Sequence, residues 1–103
     1  MSNKILFLYN NVNDVKGVSE AMKCAFDYTR GKNPIEVSHE INGANRIIFG
    51  DGDILDIIPI SNGFSLVDEY DKLFIDESVT TFVEPNRFRK IKFETYNKDT
   101  FKK

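Results

Sequence analysis

Three short apolar runs constrain this chain most: Ile5-Leu6-Phe7-Leu8-Tyr9, Ile54-Leu55-Asp56-Ile57-Ile58-Pro59-Ile60 and Leu73-Phe74-Ile75. Each is rich in strand formers and bounded by polar or turn residues, so each reads as a β-strand. The first shows no apolar–polar alternation, which predicts a central strand covered on both faces. Asn10-Asn11 ends it, and Pro59 limits pairing at the far end of the second, because proline donates no ladder hydrogen bond.

The segments between these runs supply a helix and further strands. Asn13 is a suitable helix cap, and Val15, Val18, Met22, Ala25 and Phe26 follow at helical spacing up to a stop at Gly31. In Pro34–His39, Ile35, Val37 and His39 alternate with Glu36 and Ser38, as in a strand with one wet face. Asn42-Gly43 is a turn signal, and Gly50-Asp51-Gly52-Asp53 between two apolar runs predicts a β-hairpin. Thr80–Val83 can form a further short strand, and residues 88–95 a last one with a charged face and a partly apolar face. The expected architecture is α+β: one main helix, about 13–30, packed on a mostly antiparallel sheet of five to six short strands. The weighed alternative is a three-layer α/β sheet, if the strands holding Leu6 and Phe74 run parallel side by side. All 103 residues fit a single domain, 1–103, with a frayed basic tail from about 97.

Composition narrows the class. With 41% hydrophobic and 29% charged residues, the chain resembles ordinary globular domains rather than disordered ones. No apolar run approaches the roughly 18 residues needed to cross a bilayer. The first residues carry no signal-peptide pattern, so a cytoplasmic location is expected, that of the host cell if the source is a phage. Cys24 is the only cysteine, which excludes an internal disulfide and reads as a buried structural thiol. His39 is the only histidine, which excludes a zinc site built on a histidine pair.

Charge is unevenly distributed although the net value is only −2. Residues 50–84 hold one basic and nine acidic side chains, and residues 87–103 hold seven basic and two acidic. Such asymmetry bears on partners more than on fold. The acidic stretch Asp68, Glu69, Tyr70 and Asp71, with Asp76 and Glu77, offers a negative surface for a basic protein partner, with Tyr70 as an aromatic anchor. That partner could itself be a host or defence protein that holds nucleic acid. The basic run Arg87, Arg89, Lys90 and Lys92, interleaved with Phe88 and Phe93, is a candidate for direct nucleic-acid contact, although overall acidity argues against a dedicated binder.

Leu73-Phe74-Ile75-Asp76-Glu77-Ser78 carries the most chemical meaning. A buried strand that delivers Asp and then Glu to its end resembles the Walker B element of P-loop ATPases, in which one acid orders Mg²⁺ and the next positions water. With Arg46–Ile54 and Gly63 upstream, residues 4–78 resemble the order of elements in the ATPase core of phage terminase large subunits and related helicases. That resemblance implies a nucleotide-binding ancestry. The motif G-x-x-x-x-G-K-[ST] is missing, however: Gly31-Lys32 is followed by Asn33, and Phe26 stands where the first glycine is needed. Without the cradle, ATP hydrolysis is not expected. Asp51, Asp53 and Asp56 depart from the Ca²⁺-loop pattern, so no metal and no cofactor is expected; any metal would need Asp53 or Asp56 to converge with Asp76 and Glu77.

The function expected from the sequence is therefore non-enzymatic: an interaction protein, of the kind phages and mobile elements encode as accessory or inhibitor proteins, acting on a host or defence protein through an acidic surface. Two other classes remain as alternatives. One is a metal-dependent nucleotide or nucleic-acid enzyme using Asp76 and Glu77. The other is a small virion assembly protein that forms homo-oligomers through exposed strand edges.

Overall fold

Parallel pairing on both sides of one strand organises the molecule. A computed structural model describes residues 3–10, 15–39, 44–60, 69–77 and 93–102. Its elements are β1 (Lys4–Tyr9), α1 (Val15–Tyr28), β2 (Pro34–His39), β3 (Asn45–Phe49), β4 (Ile54–Pro59), β5 (Lys72–Asp76) and β6 (Glu94–Tyr96). They form one helix and a six-stranded sheet of order β2-β3-β4-β1-β5-β6, an α+β arrangement.

The sheet is mixed in sense. β1 pairs parallel with both β4 and β5, and β6 pairs parallel with β5. Antiparallel pairing is confined to β2–β3 and β3–β4. The predominance of antiparallel pairs expected from the single helix thus gives way to a parallel centre, and the strands holding Leu6 and Phe74 do lie side by side. The physical reason is in the runs themselves. Strands buried on both faces read as continuous apolar stretches, and these are the strands that pair in parallel.

β1 is covered on both faces, as its pattern predicts: Leu6, Phe7 and Leu8 are fully buried. On the helix side Ile5, Phe7 and Tyr9 join Leu55, Ile57, Phe74 and Tyr96 beneath Ala21, Cys24 and Ala25 of α1. On the second side Leu6, Leu8, Ile58, Leu73 and Ile75 pack with Ile60, Tyr70 and Phe93. Helix α1 lies over β1 and β4. Its inward face differs from the expected one. Small residues at 21, 24 and 25 let the helix approach the sheet, while Val18 and Met22 sit on a half-buried flank and Phe26 is 44% exposed. The helix ends with the Thr29 hydroxyl donating to the Ala25 carbonyl at 2.8 Å and with Gly31 at φ +92°. That conformation suits glycine. The expected cap Asn13 and the turn Asn42-Gly43 lie outside the described residues, as do residues 80–83 and 88–92 of the last two expected strands.

The segment after β6, expected to fray, is folded back. Turn hydrogen bonds run from the Thr100 amide to the Asn97 carbonyl and from the Asn97 amide to the Thr100 hydroxyl. Phe101 closes an aromatic cluster with Phe7, Tyr28 and Phe74, centroids 5.2–6.0 Å away. Within it Phe7 stacks on Phe74 at 4.8 Å. Truncating Phe74, which is buried at the crossing of β1, β5 and α1, removes packing on all sides. Phe74→Ala is expected to cost about 3–5 kcal/mol in a urea-unfolding titration, and Phe101→Ala to cost less, since its ring is half-exposed.

Candidate functional site

The acidic residues singled out from the sequence do not form one surface. Glu69, Tyr70 and Asp71 precede β5, whereas Asp76 and Glu77 lie at its other end. Five strand residues separate the groups by about 17 Å. Asp68 and the basic residues Arg87, Arg89, Lys90 and Lys92 lie outside the described residues.

Each group is tied into the fold. The Asp71 carboxylate accepts the Lys4 backbone N–H at 2.7 Å, and the Asp71 N–H donates to the Lys4 carbonyl at 2.7 Å, so this residue clamps the start of β1. Tyr70 is half-buried rather than a free aromatic anchor: Lys4 Nζ lies 5.1 Å from its ring centroid, and its hydroxyl donates to Asp56 Oδ2.

At the opposite end, the Asn97 side-chain amide donates to Glu77 Oε2 at 3.1 Å. Asp76 shares the helix side of the sheet with Phe74, two residues before it on the strand. Burial, and then the Asp76 carboxylate, hold the Tyr96 phenol well above its ordinary range. That hydroxyl donates to the Leu8 carbonyl at 3.0 Å. The Cys24 thiol donates to the Asn97 carbonyl at 3.1 Å. Burial first, then the Asp27 carboxylate, pushes the thiol up from 9.0 to about 11. A buried, protonated thiol is a poor nucleophile.

The carboxylates that could have converged on a metal diverge. In register, Asp53 stands at the level of Asn3 and Asp76 at that of Tyr9. Six residue rises place them about 20 Å apart along the strands. Asp56 alternates with Leu55 and Ile57 of the helix-side core and so faces the second side, opposite to Asp76. Among the described residues no group of three or more His, Cys, Asp or Glu side chains is placed to hold a metal ion. Asp51 and Asp53 instead share Lys32, whose ammonium lies 2.7 Å from Asp51 Oδ2 and also bonds Asp53 Oδ2. Those contacts raise the pKa of Lys32 and lower those of both aspartates. The three residues thereby pin the β3–β4 turn to the segment after α1. Beside them is an open cleft of about 430 Å³ that also borders Asn3, Tyr28, Asp71 and Lys72.

Two features escaped the sequence reading. The first is a polar cluster on the second face: Arg46 Nε and Nη2 grip the two Asp56 oxygens at 2.7 and 2.9 Å, and Tyr70 caps the same carboxylate. Asp56 is 3% exposed. The hydrogen bonds that Arg46 donates to Asp56 raise the Arg46 pKa, and burial, followed by the bond to Asp56, raises that of Tyr70. The only sequence signal was an acid interrupting an apolar strand, opposite an arginine in the hairpin partner.

The second is the outer strand. β2 stands at the edge of the sheet and is wet on both faces, contrary to the single wet face its alternation predicts. Ile35 is 63% and Val37 42% exposed. A register shift between Pro34 and Glu36 marks a bulge at the start of the strand. His39, at its end, is exposed and its Nδ1 bonds the Asn45 side chain. The reason is reach: one helix centred over β1 and β4 leaves β2 without cover. Comparison with protein-family models, curated proteins and solved structures found no match to this chain.

Two outcomes test these assignments. Asp56→Ala leaves the Tyr70 hydroxyl and the Arg46 fork without their acceptor and is expected to cost about 1–3 kcal/mol. Tyr70→Phe should cost less, and a double-mutant cycle read by chemical denaturation should show coupling between the two sites. The native thiol of Cys24 should resist iodoacetamide near neutral pH. Because folding raises its pKa, stability from this group is present below 9.0 and declines as pH rises toward about 11, which thermal unfolding across that interval should register.

Proposed function

We propose that the chain is a non-enzymatic protein-binding module that receives an extended segment of a protein along β2. One observation carries this reading: among the described residues nothing pairs with the outer edge of β2, and that same strand carries the exposed Ile35 and Val37. An edge strand offers backbone N–H and C=O groups, and adjacent apolar side chains supply desolvation energy; together these are the elements of strand addition. The expected acidic surface takes a lesser part, because Glu69 and Asp71 stand at one end of β5 and Asp76 and Glu77 at the other. They would act as two separate charged rims that favour a basic partner.

A metal-dependent reaction at Asp76 and Glu77 draws less support. Asp53 and Asp56 point elsewhere, and Glu77 is engaged by Asn97. The proposed setting, a phage or mobile-element accessory protein acting on a host or defence protein, draws on the Asn, Lys, Ile and Phe content of the sequence.

Affinity capture from host lysate with matched variants tests the interface. A partner held by the wild type and by Asp76→Asn/Glu77→Gln, and lost by Ile35→Lys/Val37→Lys, is the expected pattern. The reverse pattern would move the contact to the carboxylate end of the sheet.

A further inference from the structure

We propose that β2 pairs antiparallel with β2 of a second copy of this chain, about a twofold axis through Val37. The inference rests on β2 being a docking edge and names its occupant. Identical strands that pair antiparallel must do so symmetrically, with residue i of one opposite residue j of the other and the converse. Only a few registers keep most of the strand paired, and charge discriminates among them.

Centring on Glu36 sets it against the partner's Glu36. Like charges directly opposite are destabilising in an antiparallel pair. Centring on Ser38 pairs only residues 37–39 of the strand, against five residues when the axis passes through Val37. Registers nearer the start run into Pro34, which lacks an N–H, and into the bulge beside it. Centring on Val37 sets no like charges opposite one another, pairs residues 35–39, leaves Pro34 outside that stretch and places the bulge at its end. Val37 then meets the partner's Val37, Glu36 meets the partner's Ser38, and Ile35 meets the partner's His39. β2 also carries no lysine or arginine, the side chains that most often block edge pairing.

The same symmetry collects the exposed apolar groups. A dyad through an antiparallel strand pair stands perpendicular to the sheet, so both copies present the helix on the same side. Val37 lies opposite Ile47, which is buried under the helix, and therefore belongs to that side. Phe26 lies about 200° around the helix from Cys24, and Cys24 faces Asn97 beyond β6. Phe26 is thus on the flank turned away from β6. Val18 and Met22, on that flank, pack against the core that includes Ile47. Pairing at Val37 brings two such half-covered regions together across the dyad and screens from water the side chains that one helix leaves open.

Light scattering or sedimentation of the purified chain tests the proposal. The mass should rise with concentration from 11.9 kDa toward twice that value, and Val37→Lys, which places two ammonium groups on the dyad, should stay at one chain with an unchanged circular-dichroism spectrum. Register is read by cross-linking with oxidised glutathione, which takes up the electrons of the two thiols. Directly opposed residues have Cα atoms about 4.5–5.5 Å apart, within disulfide reach, so Val37→Cys should form a covalent dimer. Ile35→Cys should not, since in this register the two introduced thiols are offset by four residues, about 13 Å.

A wild-type chain that remains at 11.9 kDa at every concentration overturns the proposal, as does Ile35→Cys cross-linking as fast as Val37→Cys. If that monomer still loses a different protein through Val37→Lys, self-pairing falls and the edge reading stands. If wild type dimerises and Val37→Lys leaves the dimer intact, the edge has no part in it and self-pairing at β2 falls; the edge reading falls only if Val37→Lys also keeps a different protein bound.

Discussion

Parallel pairing of β1 with β4 on one side and β5 on the other is the constraint from which the rest of this structure follows. Both faces of β1 are buried, so its polar backbone groups must find partners within the protein, chiefly in those two ladders. Asp71 serves the Lys4 end, and the Tyr96 hydroxyl reaches the Leu8 carbonyl. Parallel neighbours cannot be joined by a tight turn. The chain therefore spends its helix and two long connections on reaching its neighbours, and antiparallel hairpin economy is left to β2, β3 and β4. The aromatic cluster of Phe7, Tyr28, Phe74 and Phe101 joins β1, the end of α1, β5 and the closing turn around that centre.

Among the described residues, charged groups tie together the ends of the strands and the hairpin of this arrangement. Asp53 and Asp71 hold the backbone at the start of β1, Lys32 bridges the hairpin tip, and Asp56 joins Arg46 of β3 to Tyr70. A buried carboxylate with a bidentate arginine and a phenol has little freedom to tolerate a shifted strand, because a one-residue slip in β3–β4 turns Asp56 toward the apolar side. Its contribution is to fix register as much as to add stability.

Much of the fold was legible because local patterns and burial agreed. The runs Lys4–Tyr9, Ile54–Pro59 and Lys72–Asp76 are strands at nearly the expected limits, the glycine-rich hairpin is present, and Cys24 is buried. Strand sense was harder, since a continuous apolar run states that a strand is buried without stating how its neighbours run. The face of α1 was misplaced because Ala21 and Cys24 contribute little hydrophobic signal but allow the closest approach. Ile35 and Val37 have the alternation of a half-buried strand, and whether such a strand is covered depends on how far the helix reaches. Glu69, Tyr70, Asp71, Asp76 and Glu77 flank β5. Their split between its two ends, and the inward commitment of Tyr70, depend on contacts with Lys4 and Asp56 that are distant in sequence.

The two borders of the sheet are unequal, and the inequality sets the kind of growth available to it. Endless strand-to-strand polymerisation requires every unit to present two competent borders, one to give and one to receive. Here β2 offers six residues, while the described part of β6 offers three, followed at once by a turn that folds back onto the core. Among the described residues the sheet therefore has one long border, and a unit of that kind terminates: whatever joins it at β2 meets no border of comparable length on the far side from which a fibre could start.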